Sequence, residues 1–455
     1  MTLKIDRSQR RLGPIWLSPG ITPLNVIALF FAGMMTLVFV TTQGILLPYL
    51  LHEHLKMPTA VQGDFTGNLT VLYEIVAILI IVPASLLSDR IGRRSIYVTG
   101  FLIVGISLVL TPFARTPEML IAYRLITAVG MSASLMMLAS TIADYPQNAV
   151  RGKLISTNGV ITGVGIVLIA AFTFSQLPGY FAGQGTAPIT AGTYTYLIVA
   201  STAFISALVI RFGLKGGPPA AARERVPLTQ LLRTGVNAVR ESPRLKLTCM
   251  AYFVSRGDLL IFAMFFSLWI VAAGTDQGMT AADAQSAAGR ILGMSQVAMV
   301  LFTPVMGIIV DRMDRVTALA VAMAVAAVGY LALGLVGDPF SSPYIYPAAI
   351  LGGAGEAFLL VSCPALLGQE APARIRGSVV GLVGMCGAVG VLIHAKIAGL
   401  LFDTWMYQAP FIYMAVFNVL ICLAAIAVRV RYGKSTTRVV EPSLPDAATV
   451  DVNQS

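Results

Sequence analysis

The sequence predicts an all-α polytopic membrane protein, with twelve transmembrane helices arranged as two pseudo-symmetric six-helix bundles. Three observations lead there. The 455-residue chain is 56% hydrophobic and only 11% charged, with a mean hydropathy of +0.80, whereas a soluble domain carries roughly a quarter charged residues. Apolar runs long enough to cross a hydrocarbon core about 30 Å thick, at roughly 20 residues per helix, recur along the whole chain. The loops between them carry two motifs, each present once in either half. Because the runs are continuous and do not alternate, helices and not barrel strands satisfy the backbone in lipid.

Taken in order, the spans are Leu24 to Tyr49, Asn68 to Leu87, Ser95 to Pro112, Glu118 to Ile142, Leu154 to Phe174 and Tyr194 to Ile210 in the first half. Leu247 to Ala272, Ala284 to Val310, Val316 to Val336, Tyr344 to Leu367, Gly377 to Leu401 and Pro410 to Val430 follow in the second. Residues 1–22 form a basic, polar cytoplasmic segment, and the apolar run after them is too long for a signal-peptide core. The bundles then occupy 23–212 and 247–430, joined by a polar cytoplasmic linker, 213–246, with one amphipathic surface helix expected around Leu228 to Val239. The tail, 431–455, is rich in Ser, Thr, Pro and Asp, buries no apolar area and is expected to be disordered.

A net charge of +10 raises the question of nucleic acid, which the placement of the basic residues answers. With the N-terminus inside, the cytoplasmic segments collect 25 of the 31, and the outside loops hold only Lys56 and Arg115. That asymmetry puts both termini in the cytoplasm of a plasma membrane, the inner membrane in a bacterium, and leaves no need for a nucleic-acid partner. Cys249, Cys363, Cys386 and Cys422 all fall in predicted spans without ligand spacing, so neither a metal site nor a disulfide is expected.

The repeat decides the architecture. Loop 2/3 contains Ser85, Leu87, Asp89, Arg90, Gly92, Arg93 and Arg94; loop 8/9 answers with Gly307, Asp311, Arg312, Asp314 and Arg315. Loop 4/5 runs from Asp144 through Pro146 to Arg151 and Gly152; loop 10/11 runs from Glu370 through Pro372 to Arg376 and Gly377. Both pairs recur at nearly one separation and at matching places in the helix count.

On these residues the chain, from about residue 20 to 430, resembles the major facilitator superfamily, whose loop 2/3 signature is G-x-L-x-D-R-x-G-R-[KR]. Ser85 stands where its first glycine is usual, and Asp314 where the second copy has glycine. Arg124 followed by Gly130 is similar to the family's helix 4 pattern, with Ala128 at a common glycine. The helix 5 antiporter pattern is represented only by Gly159, Gly163 and Gly165, without its proline. The resemblance implies that Asp89, Arg90, Gly92, Arg93, Arg94, Asp144, Arg151, Asp311, Arg312, Arg315, Glu370 and Arg376 gate the conformational cycle and stabilise the outward-facing state. Physically, Asp89 at a helix end can accept charge-assisted hydrogen bonds from an arginine and from a neighbouring helix start. The plainer reading of these loops is positive-inside charge with local ion pairs worth little.

Ionisable groups inside a bilayer are costly, so they pair or line water. Glu74, Arg124, Arg256, Asp258, Arg290, Glu356, His394 and Lys396 are the candidates. Arg256 and Asp258 lie mid-span and, two apart, point to nearly opposite sides, so they serve different partners. Glu74 and Arg124 sit at similar depth and can pair. Glu74 or Glu356 is the candidate proton carrier, since a buried carboxyl released by substrate is a sufficient coupling element. Arg290 and Lys396 lie nearer the outer surface and can snorkel; His394 suits a proton relay but equally a packed histidine. Gly377, Gly381, Gly384, Gly387 and Gly390 let helix 11 approach and slide against a neighbour.

An ATP-driven pump is excluded, because Val428 stands where the first glycine of a phosphate loop ending in Gly433, Lys434 and Ser435 belongs. No hydrolase or metalloprotease signature is present, so no enzymatic activity and no cofactor are expected. The sequence therefore points to a monomeric secondary transporter working by alternating access between the bundles. Its expected ligands are protons and a small organic anion or zwitterionic metabolite, taken up by symport. Proton-coupled efflux of amphipathic drugs and uncoupled facilitation are the alternatives.

Overall fold

The computed structural model describes residues 8–147, 150–217, 228–372 and 375–433, with side chains for all of these except Val82, Asp89 and 228–232. Twelve of its helical segments are long and apolar enough to span a membrane. In the first bundle these are α1 (Pro23–Glu53), α2 (Gln62–Ile91), α3 (Arg93–Leu110), α4 (Pro117–Asp144), a composite fifth span and α7 (Pro188–Gly213). The second bundle contains α9 (Pro243–Asp276), α10 (Ala281–Arg312), α11 (Arg315–Gly334), α12 (Ile345–Glu370), α13 (Arg376–Thr404) and α14 (Ala409–Tyr432). A helix of the linker, α8 (Leu228–Glu241), lies against α13 with Gly235 at the Ser378 carbonyl. The expected tail lies almost wholly outside the described residues, and so do 218–227 of the linker.

The helices outrun the hydropathic spans because their first turns are built from caps, which are polar. Thr22 and Asn25 form a reciprocal capping box ahead of Pro23; Thr116, Ser242 and Thr280 accept from the third residue of α4, α9 and α10. The fifth span departs most from expectation. It continues past Phe174 as α5 (Arg151–Gly165), a π-helical segment at Ile166–Ala171, a single 3₁₀ turn and α6 (Leu177–Gly183). Pro178, at the start of α6, has no N–H to continue the ladder from below, so the axis restarts there. A small hairpin, β1 (Arg11–Leu12) with β2 (Ile15–Trp16), precedes α1 and lies beside the start of the 4/5 loop, with Ser18 N donating to Tyr145 O at 2.8 Å.

The duplication is visible at single hydrogen bonds. Arg93 at the start of α3 donates to Ser140 O of α4 at 2.5 Å, and Arg315 at the start of α11 donates to Ala365 O of α12 at 2.9 Å. Arg151 reaches back eight residues to Ala143 O, and Arg376 reaches back eight residues to Gly368 O.

Both described chain ends and the 92–93 turn share one face of the molecule, the terminal face; the opposite one is the far face. The polar contacts joining the bundles gather toward the far face. Asp403 of α13 accepts from Gly63 N at 2.8 Å and Asp64 N at 2.6 Å, capping the first turn of α2 from the other bundle. Lys396 Nζ donates to Asp64 Oδ1 at 2.5 Å and Asn68 Oδ1 at 2.8 Å. Gln285 of α10 donates to Ile45 O at 2.9 Å, and Gln176 to Ser286 O at 3.0 Å. Gly67 and Gly399 bring α2 and α13 to backbone contact, where a Cβ at Gly67 would sit 2.5 Å from Ala395 O. Toward the terminal face the bundles part, leaving open space beside Gly159, Gly307, Gly381 and Gly384. The molecule is closed at the far face and open at the terminal one.

Candidate functional site

α9 carries the centre of the site. Its midpoint places Arg256 on an exposed side, next to Gly387 of α13, and Asp258 on a side with no exposure at all. Among the described residues Arg256 forms no hydrogen-bonded ion pair; the acid within electrostatic reach is Glu74 of α2, in the other bundle and half-buried. The two charges thus face each other across the opening between the bundles.

Arg124 does not pair with Glu74, as the sequence had suggested. It is buried in the first bundle, donating from Nη1 to Gln43 Oε1 at 2.7 Å and from Nη2 to Gln43 O at 3.2 Å, with Tyr73 and Tyr196 close by. Equal depth was a one-dimensional argument; the α4 azimuth turns the guanidinium to α1, where one residue supplies two acceptors. Lys396 is also re-placed: it does not snorkel alone but bridges the bundles, leaving the far contact zone and not the cavity as its address. Arg290 is exposed on α10 and has no ion pair among the described residues.

Glu356 and Asp258 belong together behind α9, inside the second bundle. Tyr330 Oη of α11 lies 2.8 Å from Asp258 O and hydrogen-bonds Glu356 Oε1 of α12; Asn418 Nδ2 of α14 lies 3.0 Å from both Asp258 carboxyl oxygens. All four residues are buried. His394 is a packed histidine, Nδ1 2.8 Å from Tyr413 Oη with Phe253 and Phe417 against its ring. Tyr330, Asn418, Asp403 and Asn68 escaped the sequence reading, which searched the spans for charge; a lone amide in the apolar run of α14 was the signal available for Asn418.

The loop motifs serve their own bundles in this conformation. Arg93 pairs with Asp144, Arg94 donates to Leu214 O at 3.4 Å at the end of α7, and Arg315 holds α12. Asp314 accepts from Thr317 N and pairs with Arg429 at 3.4 Å. Arg90, Asp311 and Arg312 are exposed, Glu370 is half-buried, and Gly92 forms the turn with φ 91°. The side chain of Asp89 lies outside the described set.

Against this geometry stand three comparisons. The chain is 26% identical over 407 residues to the magnetosome protein MamH of Paramagnetospirillum magneticum, covering 88% of this chain and 91% of that one. It is 22% identical to the probable nitrate transporter NarT of Staphylococcus epidermidis, over 79% of this chain and 86% of the other. The crystal structure of a point mutant of the nucleoside transporter NupG superposes with a TM-score of 0.71 at 17% identity, over 88% of this chain and 99% of NupG, a likeness of fold. The family profile of the Major Facilitator Superfamily matches residues 29–393 and 248–449. With twelve spans, a duplicated loop pattern and a profile that covers most of its length, the chain is a multi-pass membrane transporter, not an enzyme, and belongs to the major facilitator superfamily.

Proposed function

We propose that the protein is a proton-coupled symporter of a small anion, an organic acid or zwitterionic metabolite in the first instance, working by alternating access. The observation that carries this reading is Arg256: a cation at the middle of α9, exposed to the inter-bundle opening, with no hydrogen-bonded acid among the described residues. A membrane-embedded arginine left unpaired is costly unless it lines water and receives a negative ligand. Glu74, the acid in its reach among the described residues, is the cavity carboxyl that takes a proton as the anion arrives, since two negative groups cannot share one cation cheaply. The relative named as a probable nitrate transporter supports an anion in the broader sense.

The excess of basic residues in the loops of the terminal face supports a cytoplasmic orientation for it in a bacterial inner membrane, and on that reading the form described is inward-open. The rocking units are 23–212 and 247–430, with 213–246 as the linker, in a monomer. The far-face contacts of Asp403 and Lys396 must part in the outward-open form, where the loop motifs take over.

The test is reconstitution of the full-length protein in liposomes containing a pH-sensitive dye. Lactate, glutamate, nitrate and the cation ethidium are supplied separately under an inward proton gradient. Internal acidification that depends on one anion supports the reading, and Arg256→Ala should reduce it roughly a hundredfold, the scale of losing one desolvated charge contact at about 2–5 kcal/mol. Proton exchange against ethidium alone, or anion flux indifferent to Arg256, refutes it.

A further inference from the structure

The seam between α9 and α13 is set by glycine. A Cβ on Gly390 would run into Phe253 O, one on Gly257 would meet His394 Cδ2 at 2.5 Å, and one on Gly387 would meet Arg256 Cγ at 2.7 Å. The contacts advance together along both helices, so these run parallel with a single stagger: Phe253 faces Gly390, and one turn further on Gly257 faces His394. One turn back along both, the same stagger sets Cys249 of α9 against Cys386 of α13. The two thiols lie within hydrogen-bonding reach of each other. Spacing along the sequence had given no reason to expect a disulfide; the helix register is what brings this pair together.

The pair is unlike the other two cysteines. Cys249 and Cys386 are half-buried, and Met385, beside Cys386, is exposed; Cys363 is buried, and Cys422 gives its hydrogen to Ala320 O at 3.3 Å. A disulfide needs Cα atoms about 4.4–6.8 Å apart, a separation that two backbones touching one turn away allow. An accessible cysteine beside a resolving partner is the arrangement on which reversible thiol oxidation depends. On the orientation proposed above, the seam ends at a reducing compartment, which keeps such a pair as thiols until an oxidant arrives.

We propose that Cys249 and Cys386 form a redox-sensing dithiol, oxidised by a hydroperoxide to a disulfide that locks α9 to α13. One thiol, ionised, attacks a peroxide oxygen: an S–O bond forms, the O–O bond breaks, and the thiol proton leaves with the departing oxygen as alcohol or water. The second sulfur then attacks the sulfenic acid: the S–S bond forms, the S–O bond breaks, and the released hydroxide takes the second thiol proton as water. Two electrons pass from the two sulfurs to the peroxide, and a thiol reductant returns them. Small residues along a membrane seam let its helices slide, and this seam carries Arg256 against Gly387, two turns beyond Cys249. A covalent tie near its terminal end removes that freedom, fixing α9 to the helix whose far end holds Asp403 on α2. The thiol pairing stands on the seam alone; the arrest of transport rests on the symport reading above.

The full-length protein in liposomes is treated with hydrogen peroxide, its remaining thiols are capped with N-ethylmaleimide in denaturant, and its proteolytic peptides are read by mass spectrometry. A linked Cys249–Cys386 peptide should appear on treatment and vanish with dithiothreitol. Recovery of the two cysteines as capped thiols, or as separate sulfinic acids, overturns the dithiol. Acidification driven by whichever of lactate, glutamate or nitrate the wild type carries should lose most of its rate on oxidation and regain it with dithiothreitol. Cys249→Ser and Cys386→Ser should transport as the wild type does and ignore peroxide. Full-rate transport by the linked wild type overturns the lock, and so does a loss of rate that both serine variants share. Should the wild type move no anion, the symport reading falls and the melting temperature reads the lock instead: the linked form should melt higher, reversibly, and an unchanged value overturns it.

Discussion

The two bundles share a loop pattern down to single arginine-to-carbonyl bonds, yet away from their helix ends they bury opposite charges. The first encloses a cation, Arg124, and meets it with the side chain and main chain of Gln43. The second encloses two acids, Asp258 and Glu356, and meets them with a phenol and an amide. The difference teaches that duplication preserved what positions helix ends and released what fills the interior. It also separates a fixed charge from a variable one, because a guanidinium cannot shed its proton whereas a carboxyl can take one up. Gln43→Leu should therefore be costly, at about 2–3 kcal/mol, since it strands a charged donor in the core. Asn418→Leu should cost only about 1 kcal/mol, since Asp258 can neutralise. Thermal melting of the purified variants measures both; equal losses would erase the distinction between the bundles.

A second contrast lies within the duplicated loop. The first copy turns on Gly92, with φ 91°, and Arg93 then closes onto Asp144 and α4. The second has Asp314 at the same place with φ −59°, and uses its side chain to cap α11 and to reach Arg429. One copy makes the turn with backbone freedom, the other with a hydrogen bond. Gly92→Ala forces a Cβ into the left-handed region and should cost about 1–2 kcal/mol. Asp314→Ala loses the cap for about 1 kcal/mol, while Asp314→Gly loses only a few tenths from it, because glycine is itself tolerated at a cap. Differential melting of the three variants ranks them. If Asp314→Gly proves as costly as Gly92→Ala, the Arg429 contact and not the cap holds the second loop.

Span number, the six-and-six division and the repeat register follow from hydropathy and from motifs that are local in sequence, and the fold and family matches agree with them. The expectation that Arg256 and Asp258 face opposite ways needed only helical geometry. What sequence could not supply was azimuth between helices. Depth along the membrane put Glu74 beside Arg124, but rotation about α4 gave Arg124 to Gln43 and left Glu74 to Arg256. Lys396 likewise looked isolated until α13 met α2. Tyr330 and Asn418 carry no charge, so a search for costly residues passed over the groups that make the buried acids tolerable.

The far and terminal faces give the smallest and most easily inverted effect. At the far face Asp403 accepts two main-chain N–H groups from the first turn of α2, a contact reinforced by the positive end of a long helix. Lys396, beside it, is half exposed and reaches a somewhat less exposed Asp64. Solvent screening limits such a pair to under about 1 kcal/mol, whereas a carboxylate at a helix start is worth up to about 2 kcal/mol when partly buried. With spin labels at positions 56 and 276, electron–electron double resonance reads the separation of the far loops. Asp403→Asn should widen that distribution clearly, and Lys396→Gln only slightly, with the latter change vanishing at high salt because the Debye length shrinks to about 3 Å near 1 M. If Lys396→Gln opens the far face as much as Asp403→Asn does, the closure is a matter of surface charge, and the helix cap offered across the bundles is incidental to it.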